Sequence, residues 1–194
     1  MTTIASTRTV SGTAGLGDLT AADIPAIANY WLSSPDEFLN AMGIDRMRLG
    51  SREDIHRRFS SAIRIGTAAQ ASIALAITLD ERLIGYTLLN QYSSEMNYSH
   101  WHIIDPHLRG RGISTALYPH RVQAYFNLAP ISRLIHQTRT RNVGVNRMLD
   151  KFIPVSETKY VEHPDGVALP GEFYIRYLTC DDIPKLFSRL SQLP

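Results

Sequence analysis

The sequence from 108 to 114 reads Leu108-Arg109-Gly110-Arg111-Gly112-Ile113-Ser114, between a predicted strand that ends at Ile104 and a predicted helix that begins near Ser114. Glycines let a backbone turn tightly and approach a ligand closely, so successive amide groups can converge on an anion at a helix N-terminus. The two arginines can add charge-assisted hydrogen bonds. The segment therefore predicts a cradle for a pyrophosphate group, although an ordinary strand-to-helix turn can have the same composition.

Predicted strands and helices alternate along the chain on both sides of this segment. Apolar and β-branched runs predict strands over 71–79, 83–91, 98–104, 133–137, 157–161 and 171–178. Apolar residues at helical spacing predict helices over 21–32, 36–42, 51–63, 114–127 and 143–152, the fourth of them bent by Pro119. The alternation, with no internal repeat or long linker, predicts one α/β (α+β) domain over residues 17–194.

Composition limits the classes of protein that the chain can be. It has 194 residues, of which 44% are hydrophobic and 20% charged, so it can fill a core. The formal charge of +2 gives no support for a nucleic-acid-binding surface. Cys180 is the only cysteine, which excludes an intramolecular disulfide and a cysteine-rich zinc site. Residues 1–16 have no signal-peptide or membrane-spanning core, so we expect a flexible N-terminus on a cytoplasmic protein without a membrane partner.

The same segment excludes two nucleotide-binding motifs and resembles a third. It has no lysine, which the G-x-x-x-x-G-K-[ST] loop requires, and its glycine spacing is not that of G-x-G-x-x-G. It matches the Arg-x-x-Gly-x-Gly/Ala signature of the GNAT acyltransferases, with Ser114 in place of the last small residue. The chain resembles that family from about Gly17 to Leu178. The resemblance implies a central mixed, mostly antiparallel sheet with splayed fourth and fifth strands, flanked by helices.

The resemblance also implies where acetyl-CoA, or another acyl-CoA, would bind as co-substrate. The backbone of Ile103 and Ile104 would pair with pantetheine, and Asn142, which opens the helix over 143–152, matches a later family motif. The pyrophosphate would be held by the residues of the loop, which are Arg109, Gly110, Arg111, Gly112, Ile113 and Ser114.

Leu149 marks a departure from the family. Many members place a tyrosine at this position to protonate the leaving thiolate, and Ile153 and Pro154 likewise replace a family Gly-Phe pair. Because a thiol has a pKa of about 8.5, a dedicated acid helps the thiolate to leave but is not compulsory.

His100 and His102 are the candidate catalytic residues. They alternate along a predicted strand, so both project from one face of the sheet. An alkyl amine with a pKa of about 10.4 must lose a proton before it attacks, at a cost of about 4.6 kcal/mol at pH 7, and histidine can accept that proton. His-x-His on this strand is similar to the arrangement in arylalkylamine acetyltransferases. The alternative is that one or both histidines are structural; a zinc site would need a distant third ligand, and no metal is expected.

Three further residues are candidate contacts for the acceptor. The family's architecture would place Trp31 near the acceptor entrance, while Glu95 and Tyr98 lie just before the histidine-bearing segment. Each has a plainer interpretation, which is helix packing for Trp31 and a solvated loop for the other two.

The resemblance implies an acyl-CoA-dependent N-acyltransferase. The simplest reaction is acetyl transfer to a small-molecule or peptide amine by direct attack in a ternary complex, with His102 or His100 relaying the proton. The alternative is a catalytically silent module that binds acyl-CoA or a protein partner, which Leu149 and the Ile153-Pro154 ending favour. Final strands that pair in the family are compatible with a homodimer.

Overall fold

A computed structural model of the chain describes residues 2–63, 72–93 and 96–193. The strands are β1 (Thr3–Thr9), β2 (Gly12–Asp18), β3 (Ser72–Leu79), β4 (Arg82–Gln91), β5 (Met96–Ile103), β6 (Arg133–Arg139), β7 (Glu157–Val161) and β8 (Gly171–Leu178). The helices are α1 (Ile24–Ser33), α2 (Asp36–Met42), α3 (Arg52–Ala62), α4 (Ile113–Leu128), α5 (Val143–Leu149) and α6 (Ile183–Ser191). Within the described ranges, no helix is long and apolar enough to cross a membrane.

The strands form one eight-stranded sheet in the order β1-β2-β3-β4-β5-β6-β8-β7. Every neighbouring pair is antiparallel except β5 and β6, which are parallel. This mixed, mostly antiparallel sheet flanked by helices confirms the predicted fold class. The strands predicted from the sequence are all present, with ends shifted by no more than 2 residues.

The sheet divides between β5 and β6. These strands pair only where Met96–Tyr98 meets Arg133–Ile135. Beyond that point β5 pairs with β4 alone, and β6 pairs with β8 alone. The division, which we call the fork, corresponds to the splayed fourth and fifth strands of the family, because one additional N-terminal strand shifts the numbering here by one.

The N-terminus differs from the flexible segment expected for residues 1–16. β1 and β2 form a hairpin, and β2 joins the sheet by pairing with β3. Ala14 and Leu16 are buried in the core that α4 covers. The small residues that resemble a loop in the sequence suit a closely packed strand, since a Cβ on Gly15 would lie 2.7 Å from Thr78 Oγ1.

Two hydrophobic cores lie on opposite faces of the sheet. One contains Leu75 and Trp101 and packs against α4, α5 and α6. The other contains Ala76 and Tyr86 and packs against α1, α2 and α3. Alternation along a strand sends successive side chains to opposite faces. The even-numbered side chains of β5, including His102, therefore face α1, whereas the odd-numbered ones face α4.

The helices differ from the predictions mainly at their ends. α5 ends at Leu149 instead of residue 152, and α6 was not predicted. α4 runs from Ile113 to Leu128 with Pro119 in its interior. A proline there removes one intrahelical hydrogen bond, and burial of Pro119 and its neighbours against the sheet compensates for that loss.

Candidate active site

The segment 109–112 forms an open loop before α4. Gly110 and Gly112 have φ angles of +74° and +77°, in the region that favours glycine, and a Cβ at either position would meet no atom within 4 Å. The first intrahelical hydrogen bond runs from the Ala116 N–H to the Gly112 carbonyl. The N–H groups of Ile113 and Ser114 therefore have no helical acceptor, and no side chain caps the helix. These N–H groups and the positive end of the helix dipole suit a phosphate group.

The two arginines of this loop are placed differently. Arg109 Nε donates to the carbonyl of Ile103 at 3.0 Å, and its Nη2 lies 3.5 Å from the carbonyl of Ile104. Its guanidinium carbon lies 4.5 Å from the centre of the Phe38 ring on α2. Arg111, like Arg109, is exposed to solvent. The Arg109 side chain thus points toward β5 and α2, while its backbone belongs to the loop.

The end of β5 presents a backbone carbonyl to the open side of the fork. The Ile104 N–H donates to the Ile84 carbonyl of β4 at 2.9 Å. The Ile103 carbonyl belongs to the same trans peptide and points the opposite way, away from β4. Arg109 uses one lone pair of this oxygen, and a carbonyl has two. The second lone pair is available to a ligand that lies in the fork.

Two side chains join the strands where their pairing ends. His136 Nδ1 lies 3.1 Å from the Ser99 carbonyl, and His136 Nε2 lies 3.0 Å from the Tyr118 hydroxyl. Because a carbonyl can only accept, Nδ1 carries the proton and Nε2 accepts from the tyrosine. On the other face, the Tyr98 hydroxyl donates to the Gln137 carbonyl at 3.3 Å. Carbonyls that the fork leaves without ladder partners are satisfied in this way.

His100 and His102 project from the face of β5 that packs against α1. Their ring centroids lie 5.7 Å apart, and both side chains are partly exposed. The Tyr30 hydroxyl lies 3.1 Å from His102 Nδ1, and the Tyr86 ring stacks on His102 at 5.3 Å. His100 Nδ1 is buried and has no partner among the described residues. The two imidazoles therefore lie side by side in one aromatic-lined region, but only the Nδ1 atom of His102 has a hydrogen-bond partner among the described residues.

Both imidazoles are held neutral. Burial, with smaller contributions from the charges of Arg121 and Arg58, lowers the pKa of His100 from 6.5 to about 4. Burial, His100 and the charge of Arg109 hold the pKa of His102 well below 6.5. A neutral imidazole keeps one nitrogen lone pair, which can accept a proton. Each ring is thus in its proton-accepting form at pH 7, but neither is a strong base.

The predicted acceptor contacts have different positions. Trp31 is buried, donates from Nε1 to the Tyr86 hydroxyl at 3.0 Å and lies 4.7 Å from the His102 ring. The Tyr98 ring lies 5.4 Å from that of His100. Both residues therefore border the histidine pair, Trp31 as part of its support. Glu95 lies outside the described residues.

α5 follows β6, the strand on the other side of the fork from β5. Asn142 caps it, with Oδ1 accepting from the Val145 N–H at 3.5 Å. Asn146 is buried and donates from Nδ2 to the Arg139 carbonyl at 2.8 Å. Leu149 is completely buried in the core. Its aliphatic side chain supplies no proton, so this position contributes packing where many family members have a tyrosine.

Three residues at the site were not found from the sequence: Tyr30, His136 and Arg121. Arg121 is 2% exposed, with its guanidinium carbon 3.6 Å from the centre of the Trp101 ring, and its Nε and Nη2 have no partner in the described part of the chain. In the sequence, Arg121 could have been recognised as a charged residue within the apolar stripe of a predicted helix. His136 could have been recognised as a polar residue that alternates with apolar Leu134 along a predicted strand. No local pattern marks Tyr30, because only tertiary packing brings α1 to β5.

No metal centre is evident in the described ranges. Across residues 2–63, 72–93 and 96–193, no group of three or more His, Cys, Asp or Glu side chains is placed to hold a metal ion.

Comparison with protein families gives one match over most of the chain. A family model described as "Acetyltransferase (GNAT) domain" matches residues 15–152. This range includes the loop before α4, the histidine pair and α5. No curated protein sequence matches the chain.

Several solved structures share the fold. Mycobacterium smegmatis RimJ in complex with a CoA disulfide superposes with a TM-score of 0.74 at 18% identity, covering 98% of this chain and 94% of that one. RimL, a ribosomal α-N-protein acetyltransferase in complex with coenzyme A, gives 0.71 at 15% identity, covering 93% and 99%. Spermidine N-acetyltransferase from Vibrio cholerae, with CoA and spermine, gives 0.68 at 13% identity, covering 88% and 98%.

Proposed function

The chain belongs to the GNAT acetyltransferase family, and from this premise we propose that it transfers an acetyl group from acetyl-CoA to a weakly basic amine, the α-amino group of a peptide. The observation that carries the proposal is the neutral imidazole pair His100 and His102 beside the open edge of β5. RimL, which shares the fold, supports a peptide acceptor because it is an α-N-protein acetyltransferase.

The loop and the β5 edge fit acetyl-CoA. The unpaired N–H groups at the start of α4 can receive the diphosphate, and the open space around Gly110 and Gly112 lets it approach the backbone. The free lone pair of the Ile103 carbonyl can accept from a pantetheine amide. Acetyl-CoA supplies an activated thioester carbonyl. The chain's contribution is to align that carbonyl with the amine and to remove a proton.

The histidine pair accepts the proton that the amine loses. As the N–C bond forms and the C–S bond breaks, that proton passes to His102 or His100, directly or through water, and CoA leaves as its thiolate. When His102 is neutral and ready to accept a proton, its Nδ1–H donates to the Tyr30 hydroxyl oxygen. That hydroxyl in turn lies 3.6 Å from Met42 Sδ. Burial raises the pKa of Tyr30, so the hydroxyl keeps its own proton. Nε2 of His102 is then the accepting atom.

Because His100 and His102 are weak bases, the site favours an acceptor amine with a low pKa. A peptide α-amino group has a pKa of about 7.7–8.0, so its free base costs about 1 kcal/mol at pH 7, whereas a lysine-like amine costs about 4.6 kcal/mol. His100, with a pKa of about 4, cannot recover the larger cost. An amine that is already largely neutral near pH 8 suits this pair of rings.

The test measures thiol release from acetyl-CoA with a peptide, a lysine side-chain analogue and spermidine as acceptors. We expect the highest kcat/KM with the peptide and at least a hundredfold loss when His100 and His102 are both replaced by Ala, with CoA affinity by calorimetry retained. His56→Ala, on the exposed face of α3, is the control. Absence of CoA binding refutes the proposal. CoA binding with a slow background that the double variant leaves unchanged supports the silent module.

A further inference from the structure

The Arg109 side chain is exposed and lies on the acceptor side of the fork. Its Nε donates to the Ile103 carbonyl, and its guanidinium carbon lies 4.5 Å from the Phe38 ring centre and 5.7 Å from that of Tyr30. The hydroxyl of this same Tyr30 contacts His102. A guanidinium that contacts a carbonyl on one edge and aromatic faces still has donors on its other edge.

The charged side chains that lower the pKa values of the histidine pair are arginines. Arg58 of α3 and Arg121 of α4 act on His100, and Arg109 acts on His102. Among the described residues, no carboxylate contributes to the pKa of either ring.

Arg121 lies with Trp101 on the opposite, α4 face of the sheet. The positive charge on the acceptor face therefore comes from Arg109, beside Tyr30 and Phe38, and from the exposed Arg58 of α3. On α3, Asp54 forms an ion pair with Arg57 and also interacts with Arg58, which offsets part of the Arg58 charge.

The acidic side chains near the loop are paired with arginines other than Arg109 or are exposed. Asp36, at the start of α2, forms an ion pair with Arg46. Asp105, just after β5, forms an ion pair with Arg82 at 3.1 Å. Glu37 remains on α2 and is exposed to solvent. A polycation at this position would be repelled, whereas an anionic group would be attracted.

We propose that Arg109 binds a carboxylate of the acceptor, so that the enzyme prefers an amine with a negative charge close to the reacting nitrogen, as in an acidic peptide N-terminus. The inference rests on the proposed acetyl transfer and adds the class of acceptor. It also divides the loop by role: backbone N–H groups and the exposed Arg111 face the diphosphate, while the Arg109 side chain faces the acceptor. A bidentate guanidinium–carboxylate contact orients the amine as well as attracting it.

The test compares kcat/KM for Ala-Glu-Glu, Ala-Gln-Gln and Ala-Lys-Lys peptides, which share the same α-amino group. We expect the wild type to favour the glutamate peptide over the glutamine peptide by about tenfold to a hundredfold, which is the range for one charge-assisted hydrogen-bonded contact, and to use the lysine peptide least. Arg109→Met should abolish the preference by lowering the glutamate-peptide value far more than the glutamine-peptide value. Arg109→Lys should restore part of it.

Arg111→Met is the matched control, because it removes the other arginine of the loop. It should weaken CoA binding in calorimetry and leave the peptide preference intact, whereas Arg109→Met should lower CoA affinity less than it lowers kcat/KM for the glutamate peptide. A comparison of free alanine with alaninamide as acceptors shows whether an α-carboxylate also binds Arg109. A preference for alanine that Arg109→Met removes supports binding of the carboxylate by Arg109.

Two results overturn the inference. One is equal rates for the three peptides in the wild type. The other is an Arg109→Met variant that loses CoA affinity and slows all three peptides equally, which assigns Arg109 to the diphosphate. Failure of the proposed function looks different, since no amine would then be acetylated by any variant.

Discussion

The histidines at the fork occupy two contrasting environments. His136 on β6 is completely buried, and both of its ring nitrogens have protein partners. His100 and His102 on β5 are partly exposed, and His100 Nδ1 has no partner among the described residues. All three have lowered pKa values because of burial. A lowered pKa therefore does not distinguish a structural histidine from a candidate proton acceptor. Solvent exposure and, for His100, a nitrogen without a hydrogen-bond partner do distinguish them.

The largest effect that this contrast predicts is on stability, at His136. His136→Leu leaves the Tyr118 hydroxyl and the Ser99 carbonyl without partners in the core. Since each buried unpaired group costs about 1–3 kcal/mol, we expect the free energy of unfolding to fall by about 4 kcal/mol. Urea denaturation at pH 7.5 measures it.

His136→Gln is the matched control for that substitution. Its amide can donate to the Ser99 carbonyl and accept from Tyr118, so we expect it to recover most of the lost stability. A His136→Leu variant as stable as the wild type would remove the distinction between the two groups of histidines.

The next largest effect is on turnover, at His102. His102→Ala should lower kcat by about a hundredfold, at the lower end of the range for loss of a general base. The free energy of unfolding should change less than in His136→Leu, because His102 is partly exposed. Steady-state kinetics and urea denaturation of the same preparations give both numbers. If His100→Ala lowers kcat more than His102→Ala, His100 is the main proton acceptor.

Local sequence accounts for the strands and the loop but not for the N-terminal hairpin. β3 and β4 are rich in apolar residues, and the glycines and arginines of the loop before α4 match a spaced signature. The hairpin of β1 and β2 consists largely of Thr, Ser, Ala and Gly, and it lacks the apolar alternation that predicts a strand, while its Gly and Ser residues favour turns. Pairing with β3 and cover from α4 override that preference, and neither is visible in the sequence.

The site was predictable only where one element determines it. The common face of His100 and His102 follows from alternation on one strand. The contact of Tyr30 with His102 joins residues 72 positions apart. The side-chain direction of Arg109 depends on the place of Phe38 on α2, and a loop motif carries no information about that helix.

The pH dependence of stability sharpens the contrast further. Burial lowers the pKa of His136 from 6.5 to about 3, so the ring is neutral in the fold and becomes protonated below pH 6.5 in the unfolded chain. Its contribution to stability is complete above pH 6.5 and is lost as the pH falls, by about 1.4 kcal/mol per pH unit. His136→Gln removes this contribution. Between pH 5.5 and 4.5, the unfolding free energy of the wild type should therefore fall more steeply than that of the variant. The difference in slope should be about 1.4 kcal/mol per pH unit, which corresponds to one proton. Parallel slopes in urea titrations would show that His136 also titrates normally in the fold.

The smallest predicted effect concerns the hydroxyl of Tyr30, which gives His102 the Nδ1 partner that His100 lacks. Tyr30→Phe keeps the ring that contacts Arg109 and removes the hydroxyl, with its hydrogen bond to His102 and its weaker contact with Met42 Sδ. One net hydrogen bond is worth about 1 kcal/mol, so we expect kcat to fall about fivefold with KM unchanged. The change identifies Tyr30 as a positioning residue, since a merely structural role would alter stability and leave kcat intact. If kcat is unchanged in Tyr30→Phe but collapses when His100→Ala is added, the unpartnered His100 is the working base and the partnered His102 is its support.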